Sequence, residues 1–289
     1  MLKIFKIQHL IFATITVFFL SCLKKPVVKF KIIKILLVLI FLSPYIGQKN
    51  VFCQTTELEK IDNELTTAFK IMIEADYRVR YDSLAPAFKK KLKNELSKRQ
   101  TFYHSFDSLS KYISIVFSND QRLKTFSWDE KSGGSWHSMA VFAQYKTKSG
   151  QIIAHQFNMN DDEMLVGYTD SKIYEISEIT INNKKHYLTF AWGTHGCGKH
   201  HVIAQIFRIK GKNLIKCNEC FEDSIDLVVI AQRGSKFNIR FNSKTNEISY
   251  NEYVFKDEYG YYYSTGSQVT LKLENNKFVK KEHMNNQNN

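Results

Sequence analysis

Five residues between positions 193 and 220 have side chains that could carry chemistry. They are two histidines and three cysteines: His195, Cys197, His200, Cys217 and Cys220. The last two have the Cys-x-x-Cys spacing that forms one half of many zinc sites, and two of the other three residues could supply the second half. The pattern therefore indicates zinc as a candidate cofactor, held by nitrogen and sulfur ligands.

The same five residues allow other interpretations. A disulfide could join Cys197 to Cys217 or to Cys220 and leave the third of these cysteines as a free thiol. Alternatively, Cys197 could act as a nucleophile with His195 or His200 as its base, as in a thiol enzyme. The residues could also be solvated loop positions with free thiols. Spacing along the chain does not decide between these alternatives.

An earlier segment repeats this stretch at an offset of 64 residues without a gap. Trp128 aligns with Trp192, and His137 aligns with His201. Because features shared by both copies belong to the fold, we expect both tryptophans to be core residues and His201 to be structural. The other histidines and the cysteines of the second copy have no counterpart in the first, so they need a separate explanation.

Residues 54–111 are predicted to form a helical hairpin. Apolar residues recur every three to four positions over 58–73 and again over 86–100, which is the period of an amphipathic helix. The intervening residues 81–83, Tyr-Asp-Ser, are predicted to break the helix.

Residues 112–281 are predicted to form an antiparallel β domain. Strand-like runs fall into three groups of about four, and loops are expected at 129–135 and 193–199. Turn signals separate the runs: Ser149-Gly150, Asn182-Asn183, Gly211-Lys212, Arg233-Gly234, Ser243–Asn246 and Asn275-Asn276. The expected fold is mainly β with an N-terminal helical hairpin. Its four-stranded repeats would form an open, propeller-like stack or a β-sandwich.

One of these turns makes a specific prediction about register. If Gly211-Lys212 is a two-residue hairpin turn, Cys217 lies opposite Ile206 and Cys220 lies opposite Ile203. The tyrosine run 259–263 is interpreted as an edge strand with a packed inner face, in preference to an aromatic binding platform.

Residues 1–53 have the composition of an export leader. They contain eight lysines, no arginine and no acidic residue, and two apolar runs at 10–20 and 32–43. Each run has the length of a signal-peptide core and is short for a membrane span. We expect cleavage after Cys53 and a secreted or periplasmic protein. A lipoprotein acylated at Cys22 and a membrane-anchored chain are minor alternatives, and residues 282–289 are expected to be a disordered tail.

The leader accounts for most of the positive charge. The chain carries +13, and without the eight leader lysines 33 basic residues remain against 28 acidic ones, a net charge of +5. This modest value does not indicate nucleic acid as a partner. We expect membrane contact only through an uncleaved leader, and export would place the cysteines in an oxidising compartment.

The segment 102–136 resembles that of uncharacterised exported proteins of Bacteroidetes-type bacteria. The similarity lies in Ser108, Leu109, Ser118–Asp120, Phe126–Asp129 and Gly133-Gly134. The resemblance implies export and a β-rich fold, and it implies no activity and no site residues.

These observations favour a non-enzymatic binding or interaction module of the cell envelope, with an unknown ligand or envelope partner. The sequence contains no nucleotide-binding, hydrolase or metalloprotease motif. One alternative is a metal-dependent or thiol enzyme centred on the His/Cys stretch 193–220. Another is a structural envelope protein in which a disulfide pins a loop.

Overall fold

The computed structural model of the chain describes residues 56–132, 134–156 and 171–281. The predicted leader, its cleavage site and the predicted tail lie outside these ranges. Within them, none of the helices combines the length and the apolar character needed to span a bilayer.

Two helices precede the strands. Helix α1 covers residues 56–74; a helical turn, Tyr77–Val79, then continues through a π-helical turn, Arg80–Leu84, into α2, Ala85–Leu96. Two 3-10 turns, Arg99–Tyr103 and Leu109–Lys111, lead to the first strand. The apolar faces of both helices are buried, as the spacing of their apolar residues predicts.

The predicted helix break at residues 81–83 is wrong, because the chain stays helical there and breaks at 75–76 instead. The Asp76 side chain accepts a 3.0 Å hydrogen bond from the backbone N–H of Arg78 and so caps the new helix. The Arg80 guanidinium donates a 2.8 Å bond to the carbonyl oxygen of Ala75, which satisfies the end of α1.

Thirteen strands among the described residues form three antiparallel sheets. Sheet 1 contains β1 Ser114–Phe117, β2 Leu123–Asp129, β3 Met139–Lys146 and β4 Ile152–Gln156. Sheet 2 contains β5 Lys172–Ile181, β6 Lys184–His195, β7 Lys199–Lys210, β8 Asn213–Lys216 and β9 Leu227–Gln232. Sheet 3 contains β10 Arg240–Asn242, β11 Glu247–Lys256, β12 Tyr261–Glu274 and β13 Lys277–Lys280.

The predicted β-rich class with antiparallel four-stranded repeats is confirmed. In each sheet, four consecutive strands pair in chain order, and β9 is added along β7. All six predicted turns lie between strands. The local alternation of apolar residues and the turn chemistry were therefore sufficient to place these elements.

The three sheets and the helices form successive layers. Phe126 and Trp128 of β2 belong to a core shared with the helices, whereas Leu123, on the opposite face of that strand, belongs to a core shared with sheet 2. The other face of sheet 2, with Leu188 and Phe190, packs against sheet 3. The three sheets therefore enclose two separate intersheet cores, whereas a two-sheet sandwich has only one.

The two tryptophans of the repeat differ in burial. Trp128 is 1 % exposed, and its ring lies 5.3 Å from Phe88 and 5.8 Å from Phe142, so it is the predicted core residue. Trp192 is only half-buried, and the prediction of a core position is wrong for this residue. The core between sheets 2 and 3 includes Phe190 of the same strand but does not extend to Trp192.

The two copies of the repeat also differ in strand register. In the second copy, the pairing of the two strands is shifted by two residues relative to the first copy. Trp128 lies opposite Ala140, so an unbroken offset of 64 would place Trp192 opposite Ala204, yet its partner is Val202. The predicted loop 193–199 is wrong for the same reason: β6 and β7 extend to residues 195 and 199 and leave only residues 196–198 between them. His201 is fully buried, with Nε2 2.7 Å from Ser171 Oγ, as expected of a structural residue.

Candidate functional site

The Cys-x-x-Cys pair forms a disulfide with itself. Cys217 and Cys220 are bonded, with 5.7 Å between their Cα atoms. Cys217 lies opposite Ile206, as the two-residue turn predicts, and its N–H donates a 2.8 Å hydrogen bond to the carbonyl oxygen of Ile206. Cys220 does not lie opposite Ile203, so that prediction is wrong. The chain leaves β7 after Cys217, and Val228 of β9 occupies the position opposite Ile203.

The predicted disulfide from Cys197 to Cys217 or Cys220 is wrong, because Cys197 is an exposed free thiol. It lies in the tight turn between β6 and β7, beyond Lys199. The strand from Lys199 to Ile206 separates it from Cys217 by roughly 20 Å at about 3.3 Å per residue. A disulfide requires Cα atoms within about 7 Å.

The His200 side chain is already engaged at this turn. Its Nε2 accepts a 3.2 Å hydrogen bond from Arg233 Nε, and its ring lies edge-on to Trp192 at 4.9 Å. Burial, then the charges of Arg233 and His137, lower the pKa of His200 below its usual value. The nitrogen of His200 that could accept a proton is therefore occupied by the bond from Arg233.

The structure does not bring the five predicted residues together. The backbone of His195 ends β6 opposite Lys199, and its side chain lies outside what the structure describes. The described residues contain no group of three or more His, Cys, Asp or Glu side chains that could hold a metal ion. A nucleophile and its base would be joined by a hydrogen bond. No such bond between Cys197 and His200 is present among the described contacts.

The tyrosine run forms part of a two-stranded ribbon between β11 and β12. The rings of Tyr259, Tyr261 and Tyr263 contact one another, with centroids 4.6 to 6.0 Å apart and planes inclined by 32 to 70°. On the other face, Tyr262 packs against Phe255. Tyr259 and Tyr261 are exposed, so the tyrosines form a surface cluster of mutually inclined rings and not one flat platform.

A cleft opens at the end of the stack opposite Cys197. Three hairpin turns meet there, at residues 147–151, 182–183 and 211–212, and enclose about 640 Å³. The Tyr145 hydroxyl donates a 2.8 Å hydrogen bond to the carbonyl oxygen of Lys212, which links the turns of sheets 1 and 2. This volume is within the range of about 300–1,000 Å³ found for ligand sites.

The lining of this cleft, called the basic cleft below, is strongly positive. Seven cationic side chains contribute to it: Arg122, Lys148, Lys184, Lys185, Arg208, Lys210 and Lys212. None of the described lining residues is acidic. Like charges collected at one surface raise the local potential and attract anions.

One carboxylate beneath the cleft neutralises part of this charge. Asp120 Oδ2 accepts a 2.9 Å bond from Lys185 Nζ and a 3.0 Å bond from the Tyr187 hydroxyl. Burial raises the pKa of Asp120, but hydrogen bonds from Lys185, Ser118, Tyr187 and the backbone of Arg122 outweigh it and lower the pKa. In the described part of the chain, the other six lining cations have no carboxylate within 4.0 Å.

The arrangement is suited to binding. Arg122 Nη2 donates a 3.0 Å bond to the carbonyl oxygen of Lys146, which positions the guanidinium and leaves other N–H donors for a ligand. The Tyr187 ring is 2 % exposed, so it cannot stack on a ligand. The cleft can therefore hold anionic groups by charge and hydrogen bonds.

The basic cleft was not predicted from the sequence. The net charge of the chain outside the leader is modest, and the turns were interpreted only as connections between strands. The available signal was that three of the predicted turns carry lysines within two residues, at Lys148, at Lys184-Lys185 and at Lys210 and Lys212. Only the stacking of sheet 1 on sheet 2 shows that these turns converge.

Comparisons of the chain with protein-family models, with curated proteins and with solved structures found no match. The geometry of the basic cleft is therefore the basis for the function of this protein proposed below.

Proposed function

We propose that this protein is an exported, non-enzymatic binding module of the cell envelope, and that its basic cleft binds ligands with several phosphate or sulfate groups. The observation that carries the proposal is the convergence of seven cations on one cleft, of which only Lys185 has a described carboxylate partner. A multiply charged anion would replace the missing counter-charges and relieve the repulsion between the cations.

Export is supported by two features. Residues 1–53 have the lysine-rich and apolar pattern of a secretory leader. The Cys217–Cys220 disulfide is a bond that persists in oxidising compartments and is rare in the cytosol. Both features favour a secreted or periplasmic protein over one retained inside the cell.

The two candidate centres, the β6–β7 turn and the basic cleft, both favour binding over catalysis. At the β6–β7 turn, the accepting nitrogen of His200 is occupied by Arg233. In the basic cleft, the lining consists of lysine, arginine and neutral groups, with no described carboxylate or histidine placed in it as an acid or base. The described lining of this cleft therefore supplies charge for anion binding and lacks the histidine or carboxylate that general acid–base catalysis most often uses.

The test is a titration of the protein with polyphosphate of defined length, followed by calorimetry over a series of salt concentrations. We expect binding that weakens as salt rises, because charge attraction is screened. The double variant Lys148→Glu/Lys212→Glu should weaken binding about tenfold, because each reversal removes a surface attraction of up to about 1 kcal/mol and adds a repulsion. Both side chains are exposed, so the fold should be retained.

The matched control is Lys90→Glu/Lys93→Glu on α2. It changes the net charge by the same amount at two exposed positions outside the cleft. If both double variants weaken binding equally, the protein responds only to total charge and the basic cleft is not a site.

A further inference from the structure

We infer that the ligand of the basic cleft is an anionic sugar chain, one whose units carry sulfate or phosphate groups beside free hydroxyls. This inference rests on the proposed function and specifies its ligand class. It is based on the neutral polar groups that lie between the cations, in addition to the positive charge of the cleft.

Three neutral polar side chains line the cleft with the cations: Thr147, Ser149 and Asn183. Thr147 Oγ1 lies 2.9 Å from Ser149 Oγ and accepts a 3.0 Å bond from the N–H of Gln151, so this pair is held in place by the turn. The Ser149 hydroxyl is on an exposed residue at the rim. It can bond to a ligand as well as to Thr147.

Asn183 supplies a donor and an acceptor together. Its backbone has a φ of 56°, as the turn requires, and no hydrogen bond from its amide group to another described residue is present. An inorganic polyanion offers only acceptors near neutral pH, so it can accept bonds from the amide N–H groups of Asn183 but cannot donate to the amide oxygen, which stays bonded to water on this exposed residue. A sugar hydroxyl both donates and accepts, and it can satisfy the two ends of the amide.

Nucleic acid and lipid fit this lining less well. Binding of single-stranded nucleic acid relies on aromatic rings that stack on bases, but the one aromatic ring of the lining, Tyr187, is buried and its hydroxyl is held by Asp120. Ile209 is the one aliphatic hydrophobic residue among the described lining residues. The cleft therefore has neither a base-stacking surface nor an apolar pocket for an acyl chain.

The placement of the charges suits a chain more than a single compact anion. Arg122 and Lys148 come from sheet 1, whereas the other five cations come from sheet 2, so the two walls of the cleft are both positive. Five of the seven cations are lysines, whose compact charges do not impose the bidentate geometry of arginine. Such walls can contact anionic groups spaced along both sides of a linear ligand.

The experiment compares four probes by calorimetry at one salt concentration. They are a heparin-derived sulfated oligosaccharide, a polyphosphate and a single-stranded DNA oligomer of matched total charge, and vesicles containing phosphatidylglycerol. We expect the oligosaccharide to bind at least fivefold more tightly than each of the other three. The first variant is Ser149→Ala/Asn183→Gly, which removes neutral groups and retains the positive φ at position 183.

This neutral-group variant should weaken oligosaccharide binding about fivefold and leave polyphosphate binding unchanged, whereas Lys148→Glu/Lys212→Glu should weaken both. Equal affinity for oligosaccharide and polyphosphate, with no effect of the neutral-group variant, would overturn the sugar inference and leave the anion-binding function intact. Tightest binding to DNA or to vesicles would also overturn it. If none of the four probes binds, the proposed function itself fails.

Discussion

The side-chain nitrogen of Lys124 donates a 2.8 Å hydrogen bond to the backbone carbonyl oxygen of His104, between sheet 1 and the helical segment. Lys124 is 1 % exposed, and its second acceptor is the carbonyl oxygen of Thr101 at 3.2 Å. Three phenylalanine rings surround the nitrogen at 4.7 to 5.3 Å: Phe106, Phe117 and Phe126. The carbonyl groups and rings offset part of the free energy required to bury a charge.

This burial predicts an unusual pH dependence of stability. Desolvation lowers the pKa of Lys124 from 10.5 to about 7 in the folded protein. Between these two values the unfolded chain binds a proton that the folded chain has released, so the free energy of unfolding should rise with pH. Each pH unit in that window adds at most about 1.4 kcal/mol, and the gain is absent below the folded pKa. Chemical denaturation from pH 6 to 10 measures the slope.

The variant Lys124→Met retains most of the aliphatic volume and removes the titrating group. We expect it to abolish most of the rise, while Lys90→Met, at an exposed position on α2, should leave the rise unchanged. A slope of the same size in Lys124→Met would show that another group is responsible.

A second prediction concerns Asp120, whose carboxylate holds Lys185 and Tyr187 beneath the basic cleft. Its pKa is lowered in the folded state, so its contribution to stability is present above its ordinary pKa and is lost as the pH falls through the lowered value. The variant Asp120→Asn should therefore unfold at a lower temperature at pH 7 and lose less stability between pH 5 and 3 than the wild type.

The same variant should bind polyphosphate more tightly, by about threefold, because Lys185 loses its partner and the cleft gains one net positive charge near its surface. Calorimetry at a temperature where the variant is folded provides the measurement. Asp107→Asn is the control, since Asp107 is exposed and outside the cleft lining. Unchanged or weaker binding in Asp120→Asn would contradict an electrostatic site.

The disulfide is predicted to fasten sheet 3 to sheet 2. Cys220 is buried, and its carbonyl oxygen accepts a 2.8 Å bond from the N–H of Phe278, whose ring stacks on Phe221 at 5.6 Å. The variant Cys217→Ala/Cys220→Ala should lose about 2 kcal/mol of stability, the value for a short closed loop. Limited proteolysis should then cut first within 217–226.

The control for this variant is Cys197→Ala, which should retain the protease resistance of the wild type. A thiol count gives an independent check: alkylation without reductant should label Cys197 and neither Cys217 nor Cys220. Labelling of all three positions in protein purified without reductant would contradict the disulfide.

Cys197 is predicted to lower the stability of the protein relative to glycine at the same position. The backbone φ is 58° at Cys197 and 69° at Gly198, and Lys199 N–H donates to the Gly196 carbonyl oxygen at 3.4 Å, which together define a type I′ turn. A residue with a Cβ atom is strained by about 1 kcal/mol in this left-handed region. Cys197→Gly should therefore raise the melting temperature by a few degrees.

The companion variant Cys197→Val should lower the melting temperature, since a β-branched side chain is the least tolerant of positive φ. Identical melting temperatures for the glycine and valine variants would show that this turn is not strained. Both variants should retain polyphosphate affinity, because the turn lies at the end of the stack remote from the basic cleft.

The predicted partners of Cys217 and Cys220 show over what length of chain turn geometry determines strand pairing. A two-residue turn specifies which residues pair beside it, so the position of Cys217 opposite Ile206 could be derived from residues 206–217 alone. Three residues later the prediction failed, because the chain leaves β7 to place Phe221 against Phe278 of sheet 3. That departure is stabilised by a contact more than fifty residues away in sequence, which no local pattern contains.

The sequence by itself determined the class of the fold and the positions of the turns. These depend on side-chain alternation and turn chemistry, which act over a few residues. Only the tertiary structure decided which residues form a site. Arg122, Lys148, Lys185 and Lys212 belong to separate hairpins, and the face-to-face packing of sheets 1 and 2 brings them to one cleft. The convergence of like charges depends on how apolar faces stack, and that is set by contacts distant in sequence.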